Sequence, residues 1–498
     1  MINLKSKKSI TTILIINFAI IVIFGSVLIF LHSGDSSTIS NPYVYSRYRD
    51  AYTQGHVSKD INWSQNIGGS LDDTAVTTFY NKDYNQIIIF GNSSSNNYDI
   101  DKSGSFMAIL SESGRTIEFY SIHPGMRMVQ VLKYEDTYIV FQDSKADYKN
   151  ATTGNETITI DIIDNTGKIL NTWSKTDLNL KAEDIIMSND ILSPKLYAIY
   201  SRDLGVIGSQ IIVSILPISL DTTIQPPTTI INSPYGVNYL GAYILANQLL
   251  IFANEGIPSI VHTTAILLKV GGDPVFYRFN EKNGPGFEYN TISLQPVGKG
   301  FVLASIAVSG ETKGTLHLLN INMDMNSSEP LKYTSNTNTK LQGVDYTKII
   351  TTITSYYLFA HNGQGGNMFY LDRQIFPTLN RISGFEKWNS IDDYYILDYT
   401  TTSYILAGKS TKGINIAHIQ DNTITKTINY GGTKNGQESS PLLIYTPDNI
   451  YITSNTSSAN LTDKDGDVQL NFGEKDIWTV GMNTTSLIDD IQNQGQNL

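Results

Sequence analysis

The hydrophobic positions of this 498-residue chain fall into short apolar runs that are separated by polar turns. The runs recur at intervals of 47 to 59 residues and begin at Ile87, Tyr138, Tyr197, Leu249, Phe301, Tyr356, Tyr404 and Tyr451. Most are followed by a polar turn and a second apolar run, whereas no long stretch after residue 40 has the 3.6-residue period of an amphipathic helix. A strand–turn–strand unit repeated about every 50 residues is typical of a β-propeller blade.

The pattern therefore predicts an all-β fold, a β-propeller over residues 61–487. We expect eight blades, with seven as the alternative because the unit boundaries are soft. An open solenoid is another way to stack such units, but its two end faces need polar capping repeats. Since the sequence has no evident capping repeats, we expect a closed ring.

The first and last units match each other more closely than the units between them. Gly-Gly pairs beginning at Gly68 and Gly431 are each followed by a polar run, an apolar strand and a cluster of Asn, Ser and Thr. A closed ring explains this match because its first and last units become neighbours. Trp63 and Trp173 each precede the following apolar run by 24 residues, which supports a common register for the repeat.

The N-terminus has a basic segment followed by a long apolar one. Residues 9–31 are 23 residues without a charge, and Lys5, Lys7 and Lys8 precede them. As a helix, this segment would span roughly 34 Å, enough for the hydrocarbon core of a bilayer. We therefore predict a cytoplasmic N-terminus over 1–8, a transmembrane signal anchor over 9–31, a juxtamembrane stalk over 32–60, the propeller over 61–487 and a C-terminal tail over 488–498.

Two alternatives to the membrane anchor stay open. One is a cleaved signal peptide, although its apolar region is usually only about 7–15 residues long and precedes a small-residue cleavage site. The sequence after Leu31 has no such site. The other alternative is a soluble protein of the cell interior.

The amino-acid composition excludes some classes of binding partner and binding site. Only 16% of residues are charged and 30 are Tyr, which suits strands better than helices. The net charge is −11 and no basic cluster occurs beyond the N-terminus, which argues against a nucleic-acid partner. The chain has no Cys, so disulfides and thiolate metal sites are excluded.

The first unit contains W-x4-GGS-x-DD from Trp63, IIIFGNSSS from Ile87 and FMAIL-x-ESG from Phe106. This arrangement resembles a propeller-type repeat of secreted bacterial and archaeal proteins. The last unit is similar, with YGGT, IYITSNTSS and FGEKDIWTV. The resemblance covers residues 61–115 and 428–487. The resemblance implies a propeller fold and export to the cell surface, and it leaves the ligand open.

The last unit also contains a candidate calcium site. In DKDGDVQLNFGE, oxygen-bearing side chains occupy positions 1, 3, 5, 7, 9 and 12 of an EF-hand-like loop, namely Asp463, Asp465, Asp467, Gln469, Asn471 and Glu474. Gly466 stands at the fourth position rather than the sixth, and no helix signal flanks the loop. A solvated acidic turn is therefore the alternative. If the loop binds calcium, chelation will lower the melting temperature.

The seven histidines are scattered along the chain. His317 and His418 lie in apolar runs, where a histidine with satisfied hydrogen bonds in the core is the commoner meaning. His361 precedes NGQGGN and is a candidate ligand or base.

A stretch from Ile163, IDNTGKILNTW, looks like a turn of quinoprotein-dehydrogenase-like propellers. Asp164, Asn165 and Gly167 are turn formers that explain this single copy, so we expect no organic cofactor.

These features predict a cell-surface propeller, tethered to the membrane by its N-terminal helix, that acts as a binding, adhesion or envelope interaction module for a protein or glycan. The alternative is an anchored or secreted propeller enzyme, a hydrolase or oxidoreductase with its site at the central mouth. Such an enzyme needs acids or histidines that converge from several blades. A structural protein that holds a membrane complex is a third class, and the fold alone does not decide among them.

Overall fold

The computed structural model describes residues 60–488 except 69–70, 96–102, 145–154, 191–192, 221–227, 234–235, 246–247, 258–259, 269–272, 279–288, 298–299, 308–315, 324–330, 339–342, 352–354, 364, 373–378, 399–402, 432–437, 458–459, 463–467 and 471–474. The described residues belong to one compact unit, Tyr45–Leu498. The predicted membrane anchor over 9–31 and nearly all of the predicted stalk lie outside them. Within the described part of the chain, no helix has the length and apolar character needed to cross a membrane.

The described strands form eight four-stranded antiparallel sheets, which we number along the chain. The first strand, β1 (Ile61–Ile67), stands apart because it ends the last sheet. Sheet 1 is β2 (Asp73–Asn81), β3 (Gln86–Ser93), β4 (Gly104–Ser111) and β5 (Thr116–Pro124). Sheet 2 is β6 (Arg127–Tyr134), β7 (Thr137–Asp143), β8 (Asn155–Asp164) and β9 (Ile169–Leu178). Sheet 3 is β10 (Leu180–Met187), β11 (Lys195–Asp203), β12 (Ser209–Pro217) and β13 (Thr228–Ser233).

The next three sheets follow the same meander. Sheet 4 is β14 (Val237–Leu245), β15 (Gln248–Ile257), β16 (Ile260–Leu268) and β17 (Val275–Arg278). Sheet 5 is β18 (Tyr289–Val297), β19 (Gly300–Ala307), β20 (Leu316–Met323) and β21 (Leu331–Asn338). Sheet 6 is β22 (Val344–Thr351), β23 (Ser355–Asn362), β24 (Gly365–Asp372) and β25 (Asn380–Ile382).

The last two sheets complete the fold. Sheet 7 is β26 (Asp393–Asp398), β27 (Ser403–Ser410), β28 (Gly413–Gln420) and β29 (Thr423–Tyr430). Sheet 8 is β30 (Glu438–Tyr445), β31 (Asn449–Thr456), β34 (Asp476–Asn483) and β1, and the hairpin β32 (Asn460–Thr462) and β33 (Val468–Leu470) lies between β31 and β34 in the chain. Two short 3₁₀ turns occupy Gly205–Ile207 and Thr484–Ser486.

The predicted apolar runs are the second strands of these sheets, from β3 to β31. They read as continuous apolar stretches because a neighbouring sheet covers each face, as in Ile87–Phe90, where every residue is 0% exposed. The outer strands lose this cover. In β9 and β13, for example, exposed and buried positions alternate along part of each strand.

Successive sheets pack face to face around a ring. First strands contact the first strands of the next sheet in the pairs β2–β6, β6–β10, β10–β14, β14–β18, β18–β22 and β26–β30, and β30 contacts β2. Sheets 6 and 7 share a buried cluster that includes Phe359 and Leu406. The first strands therefore lie innermost, and the fold is a closed β-propeller. The open solenoid is wrong because sheet 8 packs on sheet 1.

Ring closure depends on β1, which pairs antiparallel with β34 as the fourth strand of sheet 8. Residues from both ends of the chain thus complete one sheet. The two matching segments that begin at Gly68 and Gly431 lead into sheets 1 and 8, which are neighbours in the closed ring. The ring centroids of Trp63 on β1 and Tyr451 on β31 are 6.0 Å apart. Trp63 Nε1 also donates a 2.8 Å hydrogen bond to the carbonyl of Glu112, which directly follows β4 of sheet 1.

Candidate functional site

Many of the polar contacts between sheets occur at one edge of the ring. In every sheet, the first and third strands begin at this edge and the second and fourth strands end there. We call this edge the leading rim. Strand ends and the loops between them are where propellers and other rigid scaffolds usually carry binding groups.

A buried hydrogen-bond network joins sheets 1 and 2 and extends from the leading rim to the middle of β8. Its centre is Asp161 on β8, which is 0% exposed and accepts from Gln142 Nε2 at 2.5 Å and Thr172 Oγ1 at 2.6 Å. His123 Nε2 on β5 lies 3.1 Å from the same carboxylate. The Ser105 hydroxyl donates to Gln142. The hydrogen bond to Asp161 raises the pKa of His123, and burial opposes this effect in part.

A second network joins sheets 2 and 3. Arg127 Nε and a terminal guanidinium nitrogen donate to the two oxygens of Asp143 at 3.0 and 2.6 Å. Asp143 also accepts from the Ala182 amide at 3.1 Å, and its side chain is fully buried. A bidentate pair of this kind fixes geometry as well as contributing energy. Both networks are therefore ties between sheets.

Among the described innermost strands, five contain a β-bulge of one extra residue close to the leading rim, and β18 and β30 also shift register near the same edge. The extra residues are Val76, Val129, Glu183, Leu240 and Asp345. A bulge inserts one residue into one strand, bends that strand and redirects a side chain. Sequence alternation did not predict these bulges.

Directly after one bulge, Asp184 on β10 joins three sheets. It accepts a 2.6 Å hydrogen bond from the Tyr239 hydroxyl of sheet 4, and a side-chain hydrogen bond links it to Gln130 of sheet 2. Gln130 Oε1 in turn accepts from the Ile185 amide at 2.9 Å. Burial raises the pKa of Asp184 to about 6, although its hydrogen bonds act in the opposite direction. A carboxyl with a raised pKa thus lies where hydrogen bonds connect sheets 2, 3 and 4.

His361, the predicted ligand or base, does have a carboxylate partner. Its Nδ1 lies 2.6 Å from Oδ1 of Asp345, the bulge residue of β22. The Asp345 side chain is 59% exposed and that of His361 is 17% exposed. Both residues belong to sheet 6, so the pair by itself brings no groups together from different sheets.

A recess of about 420 Å³ opens on the leading rim beside sheet 7. Its wall consists of the segment before β26, the turn between β27 and β28, and the rim ends of β28 and β29. The lining residues are Gly384, Glu386, Lys387, Trp388, Ser410, Thr411, Lys412, Asn415, Thr427 and Asn429. This volume is near the lower end of the range for ligand pockets and suits a small molecule.

The segment before β26 is held in place by close backbone contacts with glycines. A Cβ on Gly366 would lie 2.4 Å from the Phe385 carbonyl, and one on Gly408 would lie 2.0 Å from the Ser390 carbonyl. Trp388, only 1% exposed, forms an isolated bridge with Ser410. These contacts fix the floor of the recess. The sequence did not predict them, because a glycine that packs against a distant backbone leaves no local pattern.

The candidate calcium residues are nearly all outside the described residues. Only the backbone of Gln469, on β33, is described, so the calcium site stays a prediction. Over the described ranges alone, no group of three or more His, Asp or Glu residues is placed to hold a metal ion.

Two other expectations concern buried polar residues and turns. His418 is a satisfied core histidine, as predicted, because Ser403 Oγ lies 2.9 Å from Nε2 and Thr425 Oγ1 lies 2.7 Å from Nδ1. His317 is fully buried, and burial lowers its pKa to about 4. The turn after β8 also has its predicted chemistry, since Asp164 Oδ1 accepts from the Lys168 amide at 3.0 Å and Gly167 has a φ of 76°.

Comparison with known proteins adds no family. No protein-family description matches the chain, and no curated protein matches it. Among solved structures, the chain is similar to the Dos1 propeller, with a TM-score of 0.46 and 10% identity over 84% of this chain and 95% of that one. It is also similar to one of two prolyl endopeptidases, with a TM-score of 0.45 and 10% identity over 77% of this chain and 53% of that one. A third similar structure is Drosophila Semaphorin 2a, with a TM-score of 0.43 and 10% identity over 74% of this chain and 76% of that one. Likeness at this level carries no information on ligand or activity.

Proposed function

We propose that this chain is a glycan-binding propeller on the outer side of a membrane, with its ligand held in the recess beside sheet 7. The observation that carries the proposal is the recess itself, a cavity of about 420 Å³ at the rim whose lining residues are mostly polar or charged in type. The other polar clusters of the rim described above are occupied by contacts within or between sheets. Asp161 and Asp143, for instance, are both fully buried and accept several hydrogen bonds.

Location on the outer side is part of the same proposal. It is supported by the basic residues before the apolar segment over 9–31, which favour a cytoplasmic N-terminus and an exported propeller. Protease added to intact cells that express the full chain should remove the propeller. Protection from protease until the cells are permeabilised would contradict this location.

Binding at the recess is tested by blocking it. The full chain in detergent micelles would be applied to an array of cell-surface glycans, beside the variants Thr427→Tyr and Thr423→Tyr. Thr427 lines the recess and is exposed, whereas Thr423 is exposed at the opposite end of β29. We expect glycan binding by the parent chain and by Thr423→Tyr, and none by Thr427→Tyr at an unchanged melting temperature. Binding that survives Thr427→Tyr would overturn the assignment of the recess.

A hydrolase is the second candidate, and the His361–Asp345 pair is the observation that favours it. A carboxylate that orients a histidine is a common arrangement for a general base. The pair requires a nucleophile or an activated water beside it. A panel of ester, glycoside and peptide substrates, assayed with the parent chain and His361→Gln, tests this role. Turnover that disappears in the variant would favour the enzyme, and no turnover with any substrate would remove it.

A further inference from the structure

The positive and negative side chains that line the recess beside sheet 7 do not balance each other. Lys387 and Lys412 both line it, and their backbones are adjacent, since the Thr411 amide donates to the Lys387 carbonyl at 3.3 Å. Both lysines are exposed. The recess therefore presents two ammonium groups from two neighbouring segments.

These two lysines have no carboxylate partner among the described residues. The chain as a whole has 46 acidic and 35 basic residues and a net charge of −11. Among the described lysines, Lys181 lies 2.9 Å from Glu183 and Lys426 lies 4.0 Å from Asp60, whereas most of the others have no carboxylate within 4 Å. What sets Lys387 and Lys412 apart is that both line the same recess. Two unpaired lysines in one recess make a local positive region on an acidic protein.

Glu386 is the one carboxylate among the lining residues, and it is already engaged. Its Oε1 lies 3.6 Å from Arg381, and its Oε2 accepts from the Gly384 amide at 3.1 Å. The Arg381–Glu386 pair is neutral overall. It therefore does not cancel the charge of Lys387 and Lys412.

The neutral lining groups supply further donors. Asn415, 7% exposed, uses Oδ1 to accept from Asn429. Its own amino group makes no hydrogen bond within the described part of the chain. Thr411 and Thr427 add exposed hydroxyls. The recess thus combines two cations with amide and hydroxyl donors, which calls for a ligand rich in acceptors.

We infer that the recess binds an acidic sugar, with a carboxylate between Lys387 and Lys412 and ring hydroxyls at Asn415 and Thr427. This inference rests on the proposed function and specifies its ligand class. A bare oxyanion would fill little of a cavity of about 420 Å³, and the lining holds no Arg fork for bidentate phosphate binding. A carboxylate on a polyhydroxylated ring matches both the point charges and the hydroxyl-bonding groups.

The test compares three probes on the full chain in detergent micelles by calorimetry: digalacturonic acid, neutral digalactose and inorganic sulfate. Each probe is measured with the parent chain, with the double variant Lys387→Gln/Lys412→Gln and with the control Lys82→Gln. Lys82 is an exposed lysine in the turn between β2 and β3, at the opposite edge of the ring. The melting temperatures of all three chains should agree.

We expect the acidic disaccharide to bind, to weaken with added salt and to lose about tenfold or more in affinity in the double variant but not in Lys82→Gln. Equal binding of the neutral disaccharide would overturn the acidic ligand while leaving a glycan site in the recess. Sulfate binding as tight as that of the acidic sugar would overturn the sugar. Failure of the acidic disaccharide to bind would overturn the inference directly.

Discussion

Asn66 on β1 donates a 3.0 Å hydrogen bond to Asp476 on β34, and so joins residues 410 positions apart in the chain. Asp476 is fully buried, and its side chain fills the space that a Cβ on Gly68 would need. Replacing Asn66 with Leu removes a donor from a buried carboxyl group. We expect a loss of about 2–3 kcal/mol in the free energy of unfolding, measured by urea denaturation.

A second substitution on the β1–β34 pair serves as a control, because it separates the loss of the buried hydrogen bond from a general weakening of strand pairing. Asn62 also bonds across the closure, to Asn483 at 2.7 Å, but that contact is exposed to solvent. Asn62→Ala should therefore change stability by less than about 0.5 kcal/mol. Equal losses for both variants would show that the buried Asn66–Asp476 bond has no special part in closing the ring.

Trp63 provides a second, steric test of closure. A Cβ on Gly481 would lie 2.3 Å from the Trp63 ring. Gly481→Ala should displace this ring from its place beside Tyr451, at a cost of about 1–3 kcal/mol, with a change in tryptophan fluorescence. Gly363→Ala is the control, because nothing lies within 4 Å of the position of its Cβ. If Gly481→Ala had the same melting temperature as the parent chain, Trp63 would be able to move without a loss of stability.

Much of the fold was predictable because burial on both faces produces continuous apolar runs. The runs beginning at Ile87 and Tyr451 became second strands, and the matching end units became the neighbouring sheets 1 and 8. Bulges such as the one at Glu183 were not predictable, because one inserted residue hardly changes an apolar pattern. The strand contribution of β1 to sheet 8 was likewise invisible, since pairing partners so distant in sequence leave no local signal.

The site was less predictable than the fold. The acid pairs ending at Asp73 and Asp393 both follow a Ser-Leu/Ile dipeptide, and in both the second acid begins an innermost strand. Asp393 accepts from the Leu443 amide of sheet 8 at 2.7 Å. At Asp393 the motif marks a tie between sheets, which the acid pair in the sequence does not by itself indicate. The recess depends on Lys387 and Lys412, which are separated in sequence and belong to no motif.

His123 gives a prediction for pH. Its pKa is raised chiefly by the hydrogen bond to Asp161. The stabilisation from this pair is therefore fully present below about pH 6.5 and is lost as pH rises through the folded-state pKa. In Asp161→Asn, the pKa of His123, followed by the NMR shift of its ring protons, should fall relative to the parent. The exposed change Asp136→Asn should leave it where it is, and an unchanged pKa in Asp161→Asn would contradict the assignment.

Asp184 gives a pH dependence of larger size. Its pKa is raised by burial to about 6 from an ordinary value of 3.8, so the protonated form favours folding. The contribution is fully present below the unfolded-state pKa and is lost as pH rises through 6, by about 3 kcal/mol in total. Asp184→Asn stays neutral and still offers Tyr239 an acceptor. Relative to the parent, it should gain stability from pH 4 to pH 8 by about that amount in urea denaturation.

The comparison needs an exposed acid, because other carboxyls also titrate in this range. Burial raises the pKa of Asp392 and of Asp393 as well, so the parent chain should lose stability over several groups as pH rises. Asp83→Asn changes an exposed acid in the turn after β2 and should track the parent at every pH. If the curves of Asp184→Asn and Asp83→Asn ran parallel from pH 4 to pH 8, then Asp184 would already be ionised without cost, and the Tyr239 and Gln130 hydrogen bonds would outweigh its burial.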